Sequence, residues 1–362
     1  MNWVYNLRTS LVTSVFVCMA GVASADSITP LTFSADLAVG ESATISKTVV
    51  VNEGAPTDAL VDVHFLIDTS GSMSGEINAA KAAAAELFDG LKASFGDVAA
   101  GVGVFSEGSF LPPDGPLNGR SINQDLTTDT TTFTGAVNNV SLGNPDGGFD
   151  RPESGYTAIA QAGSNVSWRA GSNRFMFVFT DADGKGDSVG ALAALADEDI
   201  DLIVLAYRRT DIQQSTYGNI LGADVFGSTT SAEAIIDDVT AGITAGFADY
   251  TSVTVGDLDG GLPNIAVSTV CTSADTGACV GAEAVGVFDR STERTFTFDV
   301  TFTRIAAGST TFDTFALVDG GIVAREFDSF PDSAAVIPVP AALPLLASAF
   351  CGFALFRRKR AA

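Results

Sequence analysis

Histidine is almost missing from this chain of 362 residues: His64 is the only one, and there are just four cysteines. A Ser-His-Asp relay would have to be built on His64, which lies inside an apolar segment next to Phe65. It therefore reads as a structural residue of a strand and not as a catalytic base. Basic charge is also short, with 19 Lys+Arg against 43 Asp+Glu. Arg8, Arg357, Arg358, Lys359 and Arg360 lie at the two ends, so the region between them is more acidic still. Nucleic acid is thereby excluded as a partner, because phosphate binding needs a basic face. Carboxylates abound, yet no pair carries the apolar setting that would tune one of them as a general acid. The chain reads as a non-enzyme.

The ends have their own character. Residues 1–25 carry one positive charge, Arg8, then the apolar segment 11–22, then the small-residue exit Ala23-Ser24-Ala25. That order is expected of a secretory signal peptide cut before Asp26. At the other end, residues 336–340 lead into the apolar stretch 341–356 and the basic cluster 357–360. A span of about 30 Å takes roughly 20 apolar residues; the neighbours of Pro338 and Pro340 extend the stretch toward that length, and the basic cluster holds its end inside. A membrane anchor and a processing signal both fit residues 336–362. Cys18 falls in the leader and Cys351 in the tail, which leaves Cys271 and Cys279 in the exported part, separated by a short Thr/Ser/Gly-rich loop. They are expected to form a disulfide, and no His or further Cys accompanies them to make a metal site.

Between the ends two textures alternate. Residues 27–60 are rich in Thr and Val with strand-like alternation. Residues 61–248 alternate apolar runs with helical periodicity: strands at 61–67, 98–105, 175–179 and 202–206, and helices from Ile77 to Leu91, around 156–166, at 189–196, and through Ile235, Val239 and Ile243. Strands with no polar face, separated by amphipathic helices, predict a doubly wound α/β domain with a parallel sheet covered on both sides. From Tyr250 the texture returns to β, with strict alternation at 295–303, where Phe296, Phe298, Val300 and Phe302 share one face. Residues 27–60 are too few to bury a core alone. The economical architecture is one β-sandwich made of 27–60 and 250–330, with the α/β domain of 61–248 inserted.

Ligands of a doubly wound sheet bind at the carboxyl ends of its strands. There the run 65–67 ends in Asp68-Thr69-Ser70-Gly71-Ser72, three oxygen-bearing side chains at alternate positions. Thr180-Asp181 follows the strand at 175–179 in the same way. Mg²⁺ is a hard ion that takes oxygens at about 2.1 Å and keeps some water, so one carboxylate with two hydroxyls would hold it while leaving a position open. Asp181-Ala182-Asp183-Gly184-Lys185-Gly186-Asp187 imitates a Ca²⁺ loop but lacks the Glu that would close it, and reads as an acidic turn, as does Asp257-Leu258-Asp259-Gly260.

Asp68-x-Ser70-x-Ser72, with an apolar strand before it and a helical pattern after it, resembles the metal-ion-dependent adhesion site of von Willebrand factor type A domains. The stretch 142–159, with Asp150-Arg151-Pro152-Glu153-Ser154-Gly155-Tyr156, is similar to the loop of integrin β-subunit I-like domains that lends a carboxylate to that metal. Trp168-Arg169, the segment 174–182 and the insertion into a β-sandwich resemble the same family. The resemblance implies Mg²⁺, or Mn²⁺, at Asp68, Ser70, Ser72, Glu153 and Asp181, with the two serines and Glu153 in direct contact and the two aspartates acting through water. It implies a possible second metal, Ca²⁺, at Glu107, Asp150 and Glu153, although Gly148 stands where that site has an amide, and a possible third at Glu76, where Gly75 replaces an acid. The segment 107–125 corresponds to the partner-selecting loop but is short and has no cysteine, so no family ligand carries over. Ile337-Pro338-Val339-Pro340-Ala341 resembles the Val-Pro-Leu-Pro-Ala variant of the C-terminal sorting signals of exosortase substrates in Gram-negative bacteria. The expectation is an exported cell-surface adhesion module of such a bacterium, its tail in the inner membrane before processing, that binds a carboxylate-bearing protein or acidic polysaccharide through the metal. The alternative is a structural envelope or matrix protein whose metal only stabilises the fold.

Overall fold

A computed structural model describes residues 25–106, 123–143 and 152–332. The expected leader up to residue 24, the tail at 336–362, Glu107 and Asp150 lie outside the described residues. The chain begins with β1 (Ser27–Thr29), β2 (Thr32–Ser34) and β3 (Ser42–Val51), then enters an α/β unit. That unit runs β4 (Ala59–Asp68), a 3-10 turn (Gly71–Met73), α1 (Ser74–Phe95), β5 (Gly96–Phe105), β6 (Gln124–Thr127), α2 (Thr130–Asn138), α3 (Gly155–Asn165), β7 (Asn173–Thr180), α4 (Ser188–Asp197) and β8 (Ile200–Tyr207). It closes with α5 (Thr210–Gln213), a π turn (Gln214–Gly218), α6 (Asn219–Leu221), β9 (Asp224–Ser228) and α7 (Ala232–Gly246).

Its sheet has the order β6-β5-β4-β7-β8-β9, parallel throughout except for the antiparallel edge strand β6. The expected doubly wound α/β class is what forms, and the reason lies in the alternation along β4. Val61, Val63, Phe65 and Ile67 enter one core with α1, α2 and α7, while Leu66 enters the other with α3 and α4. Both faces are thus covered, as the apolar strands require. On the second face Asp62 is fully buried and is held by Arg169, whose backbone N–H donates to Oδ2 at 2.7 Å and whose Nε donates to Oδ1 at 2.5 Å. His64, also fully buried, meets the edge of Trp168 with ring centroids 6.5 Å apart.

The elements β6, α2 and β9 have no counterpart in the periodicity reading. The run Thr130-Thr131-Thr132-Phe133-Thr134 has poor helix propensity. It becomes α2 because Asp129 caps it, accepting from Thr132 N at 2.7 Å, and because Phe133 packs against Phe65 and Phe88. Here packing overrides intrinsic preference.

The remaining strands are β10 (Asp249–Gly256), β11 (Ile265–Ala274), β12 (Ala278–Val280), β13 (Glu283–Asp289), β14 (Arg294–Arg304), β15 (Thr310–Val318) and β16 (Gly321–Phe330). They join the first three strands in two sheets, β1-β3-β14-β11 and β12-β13-β10-β15-β16-β2. Strands from before and after the α/β unit therefore share both sheets. Phe296, Phe298, Val300 and Phe302 all point into the core between them, and a disulfide joins Cys271 to Cys279. The α/β unit meets the sandwich at the amino end of β7: Ile322 N donates to Gly171 O at 2.8 Å, and Asn173 Nδ2 bridges Leu60 O and Ile322 O. The carboxyl ends of the parallel strands face away from this junction.

Candidate metal centre

At those carboxyl ends the order of strands reverses. β4 is followed through α1 by β5 on one side, and the chain later returns through α3 to β7 on the other. Two loops that leave adjacent strands in opposite directions open a crevice. Asp68 is the last residue of β4, and the loop after it is fastened to β5 by Thr69, whose N–H and hydroxyl donate to Phe105 O at 2.8 and 3.0 Å.

Asp68 is fully buried. Its Oδ1 accepts from Ser70 N at 2.8 Å and its Oδ2 from Thr180 Oγ1, at the end of β7, at 2.7 Å. The Ser70 and Ser72 hydroxyls are 3.4 Å apart, and Ser72 Oγ donates to Oδ1 of the fully buried Asp181 at 2.9 Å. Asp68, Ser70, Ser72 and Asp181 thus form one chain of hydrogen bonds across β4 and β7. Glu153, also buried, arrives from a third loop: its N–H donates to Asp183 O at 2.9 Å, and its own carbonyl accepts from Lys185 N at 2.7 Å. Ser154 N donates to Ser106 O at 3.2 Å, so the same loop is also tied to the end of β5. Gly155 is needed here, since a Cβ would lie 2.0 Å from Tyr217 Oη. Asp68 and Glu153 both surround that buried phenol, whose pKa is driven far up first by burial and then by Asp68, Tyr156, Glu153 and Asp183.

Electrostatically the site is set by buried acidic side chains, Asp68, Asp181 and Glu153. Burial pushes the Asp68 carboxyl up to about 6; the Ser70 and Thr180 donors oppose this and the Asp181 charge adds to it. No lysine or arginine among the described residues is paired with Asp68. Hard oxygens from carboxylates and hydroxyls at the carboxyl ends of these strands suit a hard divalent ion. Among the described residues no three His, Cys, Asp or Glu side chains group as metal ligands, so Asp68, Asp181 and Glu153 do not make a ligand set by themselves and the serine hydroxyls are needed to complete one.

Arg208 is a member that periodicity did not reveal. Directly after β8, in the left-handed region at φ 70°, it sends its guanidinium to Ser72 O at 3.0 Å, Glu76 Oε1 at 3.1 Å and Asp181 Oδ2 at 3.4 Å. Its side chain is 55% exposed whereas Glu76 is buried, with Oε2 lacking a hydrogen-bond partner. The charge of Glu76, expected to draw a third metal, is therefore met by Arg208. The one available signal was a basic pair, Arg208-Arg209, following a strand in a chain poor in bases. His64 lies four residues before Asp68, about 13 Å down the strand, and takes no part. Asp187 is a helix cap, accepting from Gly190 N at 2.8 Å, and Asp257 closes a turn by accepting from Gly261 N at 2.9 Å.

Residues 62–204 match the family model described as von Willebrand factor A domain. The fold of this part is that of the family, a parallel sheet flanked by helices, to which the two further β-sheets are added. Among solved structures, the chain is similar to a von Willebrand factor type A protein from Catenulispora acidiphila, at 13% identity and a TM-score of 0.40, covering 83% of this chain and 72% of that one. It is also similar to the pilus adhesin SpaC from Lactobacillus rhamnosus GG in its open conformation, at 13% identity and a TM-score of 0.37, covering 80% of this chain and 45% of that one. A third is proximal thread matrix protein 1 from the mussel byssus, at 13% identity and a TM-score of 0.39, covering 55% of this chain and 48% of that one. The chain thus spans less than half the length of the last two. No curated protein sequence matches it.

Proposed function

We propose that this chain is an exported binding module of adhesion type that captures a carboxylate-bearing partner, a protein or an acidic polysaccharide, through a divalent cation. The supporting observation is the hydrogen-bonded chain of Asp68, Ser70, Ser72 and Asp181, from two loops at a strand-order reversal, with Glu153 brought alongside by a third. A cation such as Mg²⁺ or Mn²⁺ at this point supplies a coordination position for a partner's oxygen. Ser70, Ser72 and Glu153 are the direct ligands in this reading, and Asp68 and Asp181 orient the bound water. Thr180 holds Asp68 at its free oxygen, and Arg208 caps the rim beside Asp181. Export accords with the disulfide between Cys271 and Cys279, which persists in oxidising compartments.

The test is calorimetric titration of Mg²⁺, Mn²⁺ and Ca²⁺ into the metal-stripped protein and its Glu153→Ala variant. Saturable binding in the wild type, weakened at least tenfold in the variant, is expected from the loss of a charged ligand. A folded wild type that binds none of the three ions sinks the reading and leaves a structural envelope or matrix role. Arg208→Ala has the opposite expected sign. Removing a half-exposed cation from Asp181 and Glu76 makes the site more negative, so Mg²⁺ affinity should rise two- to fivefold, about 1 kcal/mol or less for such pairs. A fall in affinity in the same titration would instead make the guanidinium an organiser of the site.

A further inference from the structure

A second constellation lies in the sandwich, remote from the metal centre and independent of it. On β3 the inward-facing positions are Ala43, Ile45, Lys47, Val49 and Val51, so a lysine occupies a core position. The side chains of Lys47, Glu326 and Asp328 are all fully buried. Lys47 Nζ donates to Glu326 Oε2 and lies 3.8 Å from Asp328 Oδ1. Phe302 and Phe33 wall the amine, with ring centroids 5.2 and 6.0 Å from Nζ. Thr314 Oγ1 donates to Asp328 Oδ2, while Glu326 Oε1 and Asp328 Oδ1 have no hydrogen-bond partner.

As an ionic cluster this arrangement is poor. One ammonium faces two carboxylates, a net negative charge is left fully buried, and two acceptor oxygens are unsatisfied, whereas a buried ion pair repays its desolvation only with good geometry and further hydrogen bonds. Burial raises the pKa of both Glu326 and Asp328, with Lys47 opposing the rise. A neutral amine beside a neutral carboxylic acid is the reactive pair for amide formation, and the fixed contact of Lys47 Nζ with Glu326 Oε2 places the two groups together.

We propose that Lys47 and Glu326 are joined by an amide bond between Nζ and Cδ, formed within the folded sandwich with Asp328 as proton carrier. The ammonium of Lys47 first passes one proton to the Glu326 carboxylate, which leaves an amine and a carboxylic acid. The Nζ lone pair then attacks Cδ. As the N–C bond forms, nitrogen loses a second proton to Asp328, which returns it to the departing hydroxyl; the Cδ–O bond breaks and one water leaves. Ammonium and carboxylate become amide and water, Asp328 ends as it began, and no oxidant is required. The product removes the charge pair, and Asp328, once protonated, can donate to the new amide carbonyl. Proximity in a fixed geometry is the source of rate, as in other intramolecular reactions. β3 precedes the inserted α/β unit and β16 follows it, in opposite sheets, so the bond would staple the two sheets across a separation of 279 residues. Cross-links that close long loops restrict the unfolded chain most.

The experiment is peptide mapping by tandem mass spectrometry of the full chain, folded, then denatured, reduced and digested with trypsin. The expected product is a branched peptide one water lighter than its two parts, its fragments locating the link at Lys47 and Glu326, with no cleavage after Lys47. Glu326→Ala should abolish the branch and restore that cleavage. Asp328→Ala, verified as folded by circular dichroism, should form the branch roughly a hundredfold more slowly, the ordinary worth of a positioned proton carrier. Linear peptides ending at a free Lys47 from the folded wild type would overturn the proposal. A branch on Asp328 would overturn the choice of Glu326, and an unchanged rate in Asp328→Ala would overturn the role of the carrier.

Discussion

Asp68→Asn is expected to stabilise the metal-free protein at pH 7 by about 3 kcal/mol and, at the same time, to abolish its divalent-ion binding. The Asp68 carboxyl is raised from 3.8 to about 6 by burial, and a tenfold change in proton affinity on folding is worth about 1.4 kcal/mol. The sign follows from proton linkage. A carboxyl whose folded pKa is raised contributes stability that is fully present below its unfolded value near 4 and is lost as pH rises through 6. Metal-free wild type should therefore lose stability between about pH 4 and pH 6 by this contribution, and Asp68→Asn, which cannot ionise, should lack that loss. In the proposed site the ion and its bound water require the ionised form of Asp68, so saturating Mg²⁺ should restore wild-type stability at pH 7, and apparent affinity should fall about tenfold for each step of one in pH below 6. Denaturant unfolding at pH 5 and pH 7, with and without Mg²⁺, checks all of this. A variant less stable than metal-free wild type at pH 7 would show that the Ser70 and Thr180 hydrogen bonds outweigh the cost of burial.

Phe65→Ala carries the second large expectation, a loss of about 3–5 kcal/mol. The ring is 3% exposed and lies against Phe133, Phe177 and Phe179, with centroids 5.6, 5.6 and 5.9 Å away. It therefore joins β4, α2 and β7 at one point. A cavity there cannot close without moving strands that are fixed in register with their neighbours. Three residues further along β4 is Asp68, so cation affinity should weaken as well, although Phe65 touches no ligand. Thermal unfolding and the same titration read the two effects. A loss below 1 kcal/mol would mean that α2 collapses into the space.

The parallel α/β class could be read from the chain because its strands carry no polar face: 61–67, 98–105, 175–179 and 202–206 are apolar runs bounded by turns and helices. Buried strands announce themselves through composition, which is local information. α2 could not be read in this way, since a threonine-rich segment turns helical only with Asp129 as its cap and the rings of Phe65 and Phe88 to receive Phe133.

The candidate site divides along the same line. Asp68, Ser70 and Ser72 are visible as a spacing because one loop carries all three. Asp181 is visible because it ends an apolar strand. Thr180 and Arg208 are partners of these residues over 112 and 27 positions of sequence; the strand end marks Thr180 and the basic pair marks Arg208, but nothing local says which acid each one meets. Lys47 is the sharper case. Its place in the alternation of β3 points inward, yet an isolated lysine belongs in water, and sequence alone cannot decide between these. Thus the chain by itself determined the buried parallel strands, the amphipathic helices between them and the loop that ends β4, because period and composition act over a few residues. Only the tertiary structure decided which charges meet: Arg208 with Glu76 and Asp181, and Lys47 with Glu326 and Asp328. Burial and Coulomb energies depend on distance in space, and the folded chain sets that distance without regard to separation in sequence.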